Sequence, residues 1–317
     1  MPDSIPAGTL VYGMQLPVQS QSTIYAEDWE AGAGVAELAD IARAADRNGF
    51  YYVAVCDHIA IPRPNDEKMG IDWWDTVATL GYLAAITERT HLMSHVYVLP
   101  YRHPLVAAKS FLTLDELSNG RAILGVGAGH VQGEFELLGL DFDRRGKVLD
   151  ESLQVVRAAF EAEYPTVDTA SFHVADAGIR PRGAQTGGPP IWVGGSSKPA
   201  MRRAADHGDG WLPQGPPADG MRKGIAWLNE RREANGRADR PFAIGANSEI
   251  LYIGDPWFEV GPQHLTGDPE PMVERLARYA NIGVNQIQLR FRSRSAAELC
   301  DQIDRFGAEI APHLNAA

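Results

Sequence analysis

Residues 121–130 read "RAILGVGAGH". Ile123, Leu124 and Val126 are the β-favouring apolar residues of a buried strand. Gly125, Gly127 and Gly129 strip the far end of that strand of side chains, and His130 stands where strand gives way to loop. Glycines there allow close packing, a tight turn, or the approach of a flat ring to bare backbone.

Working outward, the same strand-then-helix alternation recurs on both sides. "LVYGMQL" (10–16) reads as a short buried strand, and 34–48 carries Val35, Leu38, Ile41, Ala42 and Ala45 at helical spacing, with Gly49 as a stop. "FYYVAVCDH" (50–58) is a second strand, followed by a helix over 72–87 with Asp72 as its cap. "HLMSHVYVLP" (91–100) is the third, and Pro104 opens a helix that closes on Asn119-Gly120. Downstream of the fourth strand come a helix over 146–160 and a surface hairpin at "TVDTASFHV" (166–174). Strands five to eight are "PPIWVGGSS" (189–197), "GDGWLP" (208–213), "FAIGANSEILYI" (242–253) and "NQIQLRF" (285–291). Helices over 198–207, 221–235, 269–281 and 295–310 follow them.

Eight strands, each followed by a helix, predict an α/β fold: a (β/α)8 barrel forming a single domain over 1–317. It carries an insertion around 161–190 and an extended loop around 254–268. The competing doubly wound sheet needs a glycine fingerprint at its first βα turn, and none is present.

Composition narrows the function. The 317 residues are 44% hydrophobic and 22% charged, the balance of a folded enzyme-sized protein. A net charge of −12 argues against nucleic acid, whose binding rests on Lys and Arg at phosphates. No apolar run approaches the ~18 residues of a membrane span. The opening "MPDSIPAGTLVYGMQLP" has no basic region leading into an apolar core, so no secretory signal is expected. Cys56 and Cys300 are the only cysteines and lack metal-site spacing; no metal is expected, and the setting is read as cytoplasmic.

In a barrel of this kind the site gathers just past the strand ends. Those positions hold Gln15, Asp57-His58, Tyr101-Arg102, Gly127 to His130, Gly194 to Lys198, Asn247 and Arg290 to Arg292. Asp57 beside His58 either orients an imidazole for proton transfer or merely caps a strand. His130 is either a hydrogen-bonded structural histidine or a second catalytic one. Gly194, Gly195, Ser196, Ser197 and Lys198 end a strand and open a helix, where free N–H groups and the helix dipole suit a phosphate. Ser197 serves equally as a plain helix cap. Trp73, Trp74 and Tyr101 supply aromatic walls for a substrate pocket.

Together, "GFYYVAVCDH", "LPYRHP", "NGRAILGVGAG" and "PPIWVGGSSKPAMRRAADHGDGWLP" resemble the luciferase-like flavin and deazaflavin oxidoreductases, in the F420-dependent branch. The resemblance spans roughly residues 35–213. It implies a (β/α)8 barrel, a homodimer, and a tricyclic cofactor at the C-terminal strand ends. By that resemblance Asp57 and His58 lie beside the ring, with His58 as acid/base. His95-Val96 fall where the family often has a non-proline cis peptide against the ring. Gly127, Ala128 and Gly129 border ring and phosphate, and Gly194 to Lys198 hold the phosphate. His130 replaces a glutamate or an aromatic of other branches and points to a different proton scheme or substrate.

The expected activity is therefore F420-dependent hydride transfer with a small organic substrate, Asp57 standing behind His58. An enzyme that reduces F420, or a flavin reductase, would supply the reduced cofactor. Two alternatives stay open: a two-component monooxygenase using reduced FMN, and a non-catalytic flavin-binding protein.

Overall fold

Eight parallel strands carry the architecture: β1 Val11–Gln15, β2 Tyr52–Val55, β3 His91–Ser94, β4 Ala122–Gly127, β5 Ile191–Gly194, β6 Gly210–Leu212, β7 Ala243–Ile253 and β8 Gln286–Phe291. Each pairs with the next in sequence, and β8 pairs back to β1, so the sheet closes into a barrel. The structure is a computed structural model describing residues 5–23, 25–262 and 264–315. Eight helices surround the sheet: α1 Val35–Arg47, α2 Thr76–Ile86, α3 Pro104–Leu117, α4 Arg145–Glu161, α5 Lys198–His207, α6 Met221–Ala234, α7 Pro269–Ala280 and α8 Ala296–Arg305.

Strand alternation builds two apolar layers. Tyr52, Ala54, Met93, Ile123, Trp192, Leu212 and Ala243 fill the barrel interior. Val53, Val55, Leu124, Val126, Ile191 and Val193 face the helices in the larger core. The interior layer leaves no space at Gly13, where a Cβ would lie 2.5 Å from the Tyr52 ring. Within the barrel the Tyr52 hydroxyl donates to Gln286, at the start of β8, at 2.9 Å. Packed side chains thus plug the barrel and leave only its mouth for ligands.

Four local expectations change. The third strand is broken: β3 stops at Ser94, a cis peptide joins His95 to Val96, and the chain resumes pairing with β4 at Tyr97–Val98. The helix expected from Asp72 starts at Thr76 and is capped by Asp75, whose carboxylate accepts the Ala78 N–H at 2.8 Å. Residues 72–74 pair instead with the chain after β1, through Gln21 N–H to Asp72 and Trp74 N–H to Gln19. The loop at 254–268 is not wholly irregular, because His264–Gly267 adds a parallel strand beside β7 outside the barrel. The last helix keeps α-geometry only to Arg305 and continues over Phe306–Ile310 as a wider π-turn.

The insertion after α4 folds back as the hairpin Val167–Asp168 with His173–Val174. Arg182 anchors it by donating to the carbonyls of Ala159, Phe160 and Ala162 at the C-terminal end of α4, where a cation also meets the helix dipole. Among the described residues, no helix is long and apolar enough to cross a membrane.

Candidate active site

The end of β2 delivers His58 to the barrel mouth, and its Nδ1 lies 2.6 Å from Glu134 Oε2. Glu134 belongs to a short helix, Gln132–Leu137, that follows the glycine turn after β4. Its side chain is fully buried and collects four donors. Tyr101 OH reaches Oε2 at 3.0 Å, while the Ile59 and Ala60 N–H groups reach Oε1 at 2.8 and 3.3 Å. Burial pushes this carboxyl's pKa up, but the hydrogen bond and charge from His58, with the Ile59 and Tyr101 bonds, outweigh it and hold Glu134 below the usual glutamate range. An ionised carboxylate only accepts hydrogen bonds, so His58 donates from Nδ1 and presents Nε2 as its exchangeable position.

The expected neighbours of His58 are sorted by the fold. The Trp73 ring meets the imidazole edge-on with centroids 4.3 Å apart, and the His130 ring lies 5.7 Å away. His130 is exposed on one side; its pKa is lowered, first by partial desolvation and then by the charge of His58. Tyr101 is buried beneath the pair rather than lining a wall, its ring edge on Phe135 at 4.9 Å. Trp74 packs against the main core.

Asp57 does not back His58. It turns the other way and accepts from both terminal guanidinium nitrogens of Arg102, at 2.6 and 2.9 Å, from the Val98 N–H at 2.7 Å and from Thr76 Oγ1 at 3.3 Å. Arg102 also lies over the Tyr97 ring at 4.0 Å. β2 ends at Val55, so Asp57 and His58 lie in the chain just beyond it, where each side chain finds its own partner. Asp57 pins β2 to the Tyr97–Val98 segment, and Glu134 supplies the carboxylate. The sequence does not single out Glu134, because it sits in a short, half-exposed helix and its partner His58 is 76 residues away along the chain.

The glycines make room for protein first. A Cβ at Gly127 or Gly194 would strike the Val96 side chain at 2.5 or 2.6 Å, so Val96 seats between β4 and β5. Gly129, at φ +81°, passes close to Phe135 and Val98, and Ala128 rests partly buried on the core. Gly195 has φ +106°, a region natural to glycine. Its N–H donates to the Leu212 carbonyl, and its carbonyl accepts from Trp211 Nε1 at 2.8 Å. The Ser196 hydroxyl donates to the Gly215 carbonyl at 2.6 Å, and Ser197 Oγ caps α5 through Ala200 N–H. Lys198 is exposed. This leaves the N–H groups of Ser196, Ser197 and Lys198 without a partner among the described residues, all at the N-terminus of a ten-residue helix.

Below the cis peptide, His95 joins a polar floor. Gln214 Nε2 donates to His95 Nε2 at 2.9 Å, so the ring proton sits on Nδ1, 3.3 Å from Gln15 Oε1. Burial drives the His95 pKa down to about 4 and keeps the ring neutral. Gln15 and Gln214 also border a cavity of about 320 Å³ among the ends of β1, β7 and β8. Ser20 lines that cavity and bridges by backbone to Trp73, which ties it to the His58 cluster. No group of three or more His, Cys, Asp or Glu among the described residues is placed to hold a metal ion.

A closed parallel barrel with a buried carboxylate–histidine pair at the C-terminal strand ends defines an α/β-barrel enzyme. The model of the luciferase-like monooxygenase family matches residues 12–256, and the chain belongs to that family, whose members are flavin- or F420-dependent oxidoreductases and monooxygenases. An uncharacterized protein of Mycobacterium tuberculosis is 29% identical over 290 residues, covering 85% of this chain and 92% of that protein. The FMNH2-dependent dimethylsulfone monooxygenase of Pseudomonas putida is 26% identical over 219 residues, covering 67% and 56%. In fold, the F420-dependent tetrahydromethanopterin reductase of Methanopyrus kandleri superposes with a TM-score of 0.75 at 18% identity, covering 96% and 99%.

Proposed function

We propose that this protein is an F420-dependent oxidoreductase acting on a small organic substrate, with His58 as the acid/base. The observation that carries this reading is the His58–Glu134 pair. Glu134 fixes the imidazole's tautomer and orientation by accepting from Nδ1, which leaves Nε2 to give or take a proton. His130 shares the rim and either anchors the substrate's oxygen or exchanges the proton in turn.

The chain's residues fit the phosphate that F420 and FMN both carry. Three successive unpartnered N–H groups at Ser196, Ser197 and Lys198 are the donor set such an anion takes at a helix N-terminus. His95, Val96 and Gly127 to Gly129 would border the ring, with Asp57 behind them holding the strands in register. When bound, F420 supplies the hydride. Trp73 shields His58 on one side. The reading includes a homodimer, a cytoplasmic setting, a single functional domain over 1–317, and a separate enzyme that reduces the cofactor.

A reduced-FMN monooxygenase is the second reading, favoured by the similarity to the Pseudomonas putida enzyme. Fluorescence titration with F420 and FMN, each oxidised and reduced, separates the two. The F420 reading expects F420 to bind at least about tenfold more tightly. Tighter binding of FMN overturns it.

A further inference from the structure

The cavity among β1, β7 and β8 contains polar groups that the fold leaves unmet. On β8, Gln286, Gln288 and Arg290 share the inner face. Gln286 is used inside the barrel by Tyr52. One step higher, Gln288 Oε1 is buried with no hydrogen-bond partner among the described residues. Asn247 is the register partner of Gln288 on β7 and lines the same cavity from an exposed position. A buried acceptor left unpaired costs about 1–3 kcal/mol, which a ligand donor would recover.

The charges of the cavity sort themselves by partner. Glu27 pairs with Arg292. Glu30 accepts the Val18 and Glu27 N–H groups, at 2.9 and 2.8 Å. Arg290 has no carboxylate within ion-pair distance among the described residues. It lies near the Tyr25 ring, at 5.3 Å, and donates to the Tyr25 carbonyl. Arg290 is therefore the cavity's one guanidinium without a carboxylate in ion-pair contact among the described residues, with the Glu30 charge acting on it from farther off, and it stands above the unpartnered Gln288 Oε1. Apolar side chains from Leu16, Trp29, Ile250 and Phe291 complete the lining.

We propose that this cavity binds the substrate through a single carboxylate held by Arg290, with a hydroxyl or amine a carbon or two away donating to Gln288. A phosphate dianion fits less well, because its second charge would face Glu27 and Glu30 with no further cation lining the cavity among the described residues. Neutral alcohols would leave Arg290 unmatched. The inference rests on the oxidoreductase reading for calling this ligand a substrate. Carboxylate binding itself is measured without turnover.

Three probes of matched length test it: 3-hydroxyhexanoate, hexanoate and hexanamide, titrated into the full-length protein by calorimetry and ligand-observed NMR. Hexanoate should bind about tenfold more tightly than hexanamide, and 3-hydroxyhexanoate more tightly again, the worth of a charge-assisted hydrogen bond and of one neutral bond. Arg290→Gln should close the gap between hexanoate and hexanamide, and Gln288→Leu the gap between 3-hydroxyhexanoate and hexanoate. Unchanged F420 affinity in both variants shows that they remain folded. Hexanamide binding as well as hexanoate, or no binding by any probe, overturns the inference from the wild-type protein alone. Failure of F420 to bind would sink the functional reading while leaving a measured carboxylate preference in place.

Discussion

The two sides of the barrel mouth are built on opposite principles. At the ends of β2 and β4 the charged groups are buried and matched: Asp57 takes both arms of Arg102, and Glu134 takes His58, Tyr101 and two backbone N–H groups. At the ends of β7 and β8, Gln288 Oε1 is buried without a partner among the described residues, and Arg290 has no carboxylate in ion-pair contact among them, Glu30 acting on it only from farther off. Pairing rigidifies and fixes which atom of His58 can act. Unmet polarity instead costs the empty protein stability and is recovered when a ligand arrives. One side is made to do chemistry at a fixed atom, the other to choose what comes near it.

This contrast can be broken in four ways. His58→Ala should lower turnover on the order of 10²–10⁴-fold, the usual worth of a positioned proton-transfer group, with cofactor affinity nearly unchanged. Steady-state kinetics checks it, and a near-normal kcat would move the acid/base role elsewhere. Asp57→Ala should destabilise the fold by about 3–5 kcal/mol, because Arg102 is left buried and uncompensated. Denaturant unfolding reads that cost; a loss under about 1 kcal/mol would mean solvent reaches Arg102.

The third concerns pH. His95 is neutral in the fold with its pKa down at about 4, whereas an unfolded histidine titrates near 6.5. The unfolded chain therefore binds more protons between these values, so stability from this group is complete above about pH 6.5 and is lost as pH falls toward about 4. Unfolding measured across that window should show the decline, and His95→Gln should flatten it. The smallest effect is expected on the unpaired side. Gln288→Leu should change stability by less than about 1 kcal/mol, or raise it slightly, since it removes an unsatisfied acceptor. A large loss there would show that Gln288 is structural and would erase the contrast between the two rims.

Much of the frame was legible from local pattern. Continuous apolar runs such as "FYYVAV" and "AILGV" allow only buried parallel strands when helices of regular spacing intervene, and the barrel follows from counting them. Ser197 and Pro199 likewise mark the start of α5 by capping chemistry that acts within a few residues. Asp72 and Asp75 are equivalent as sequence, and the cap of α2 falls on Asp75, three residues beyond the expected Asp72. Pairing of residues 19–21 with 72–74, across the mouth, is what holds Asp72 in extended chain.

The sequence by itself determined the order of strands and helices, the end of the barrel where function gathers, and the residue types available there. Those follow from periodicity and propensity, which are properties of neighbours along the chain. Only the tertiary structure decided which carboxylate serves which cation. Asp57 and His58 are adjacent in sequence yet point apart, while Glu134 reaches His58 from 76 residues away and Arg102 reaches Asp57 from 45. Hydrogen bonds act over about 3 Å of space, and a closed barrel brings to that distance groups whose separation along the chain carries no sign of it.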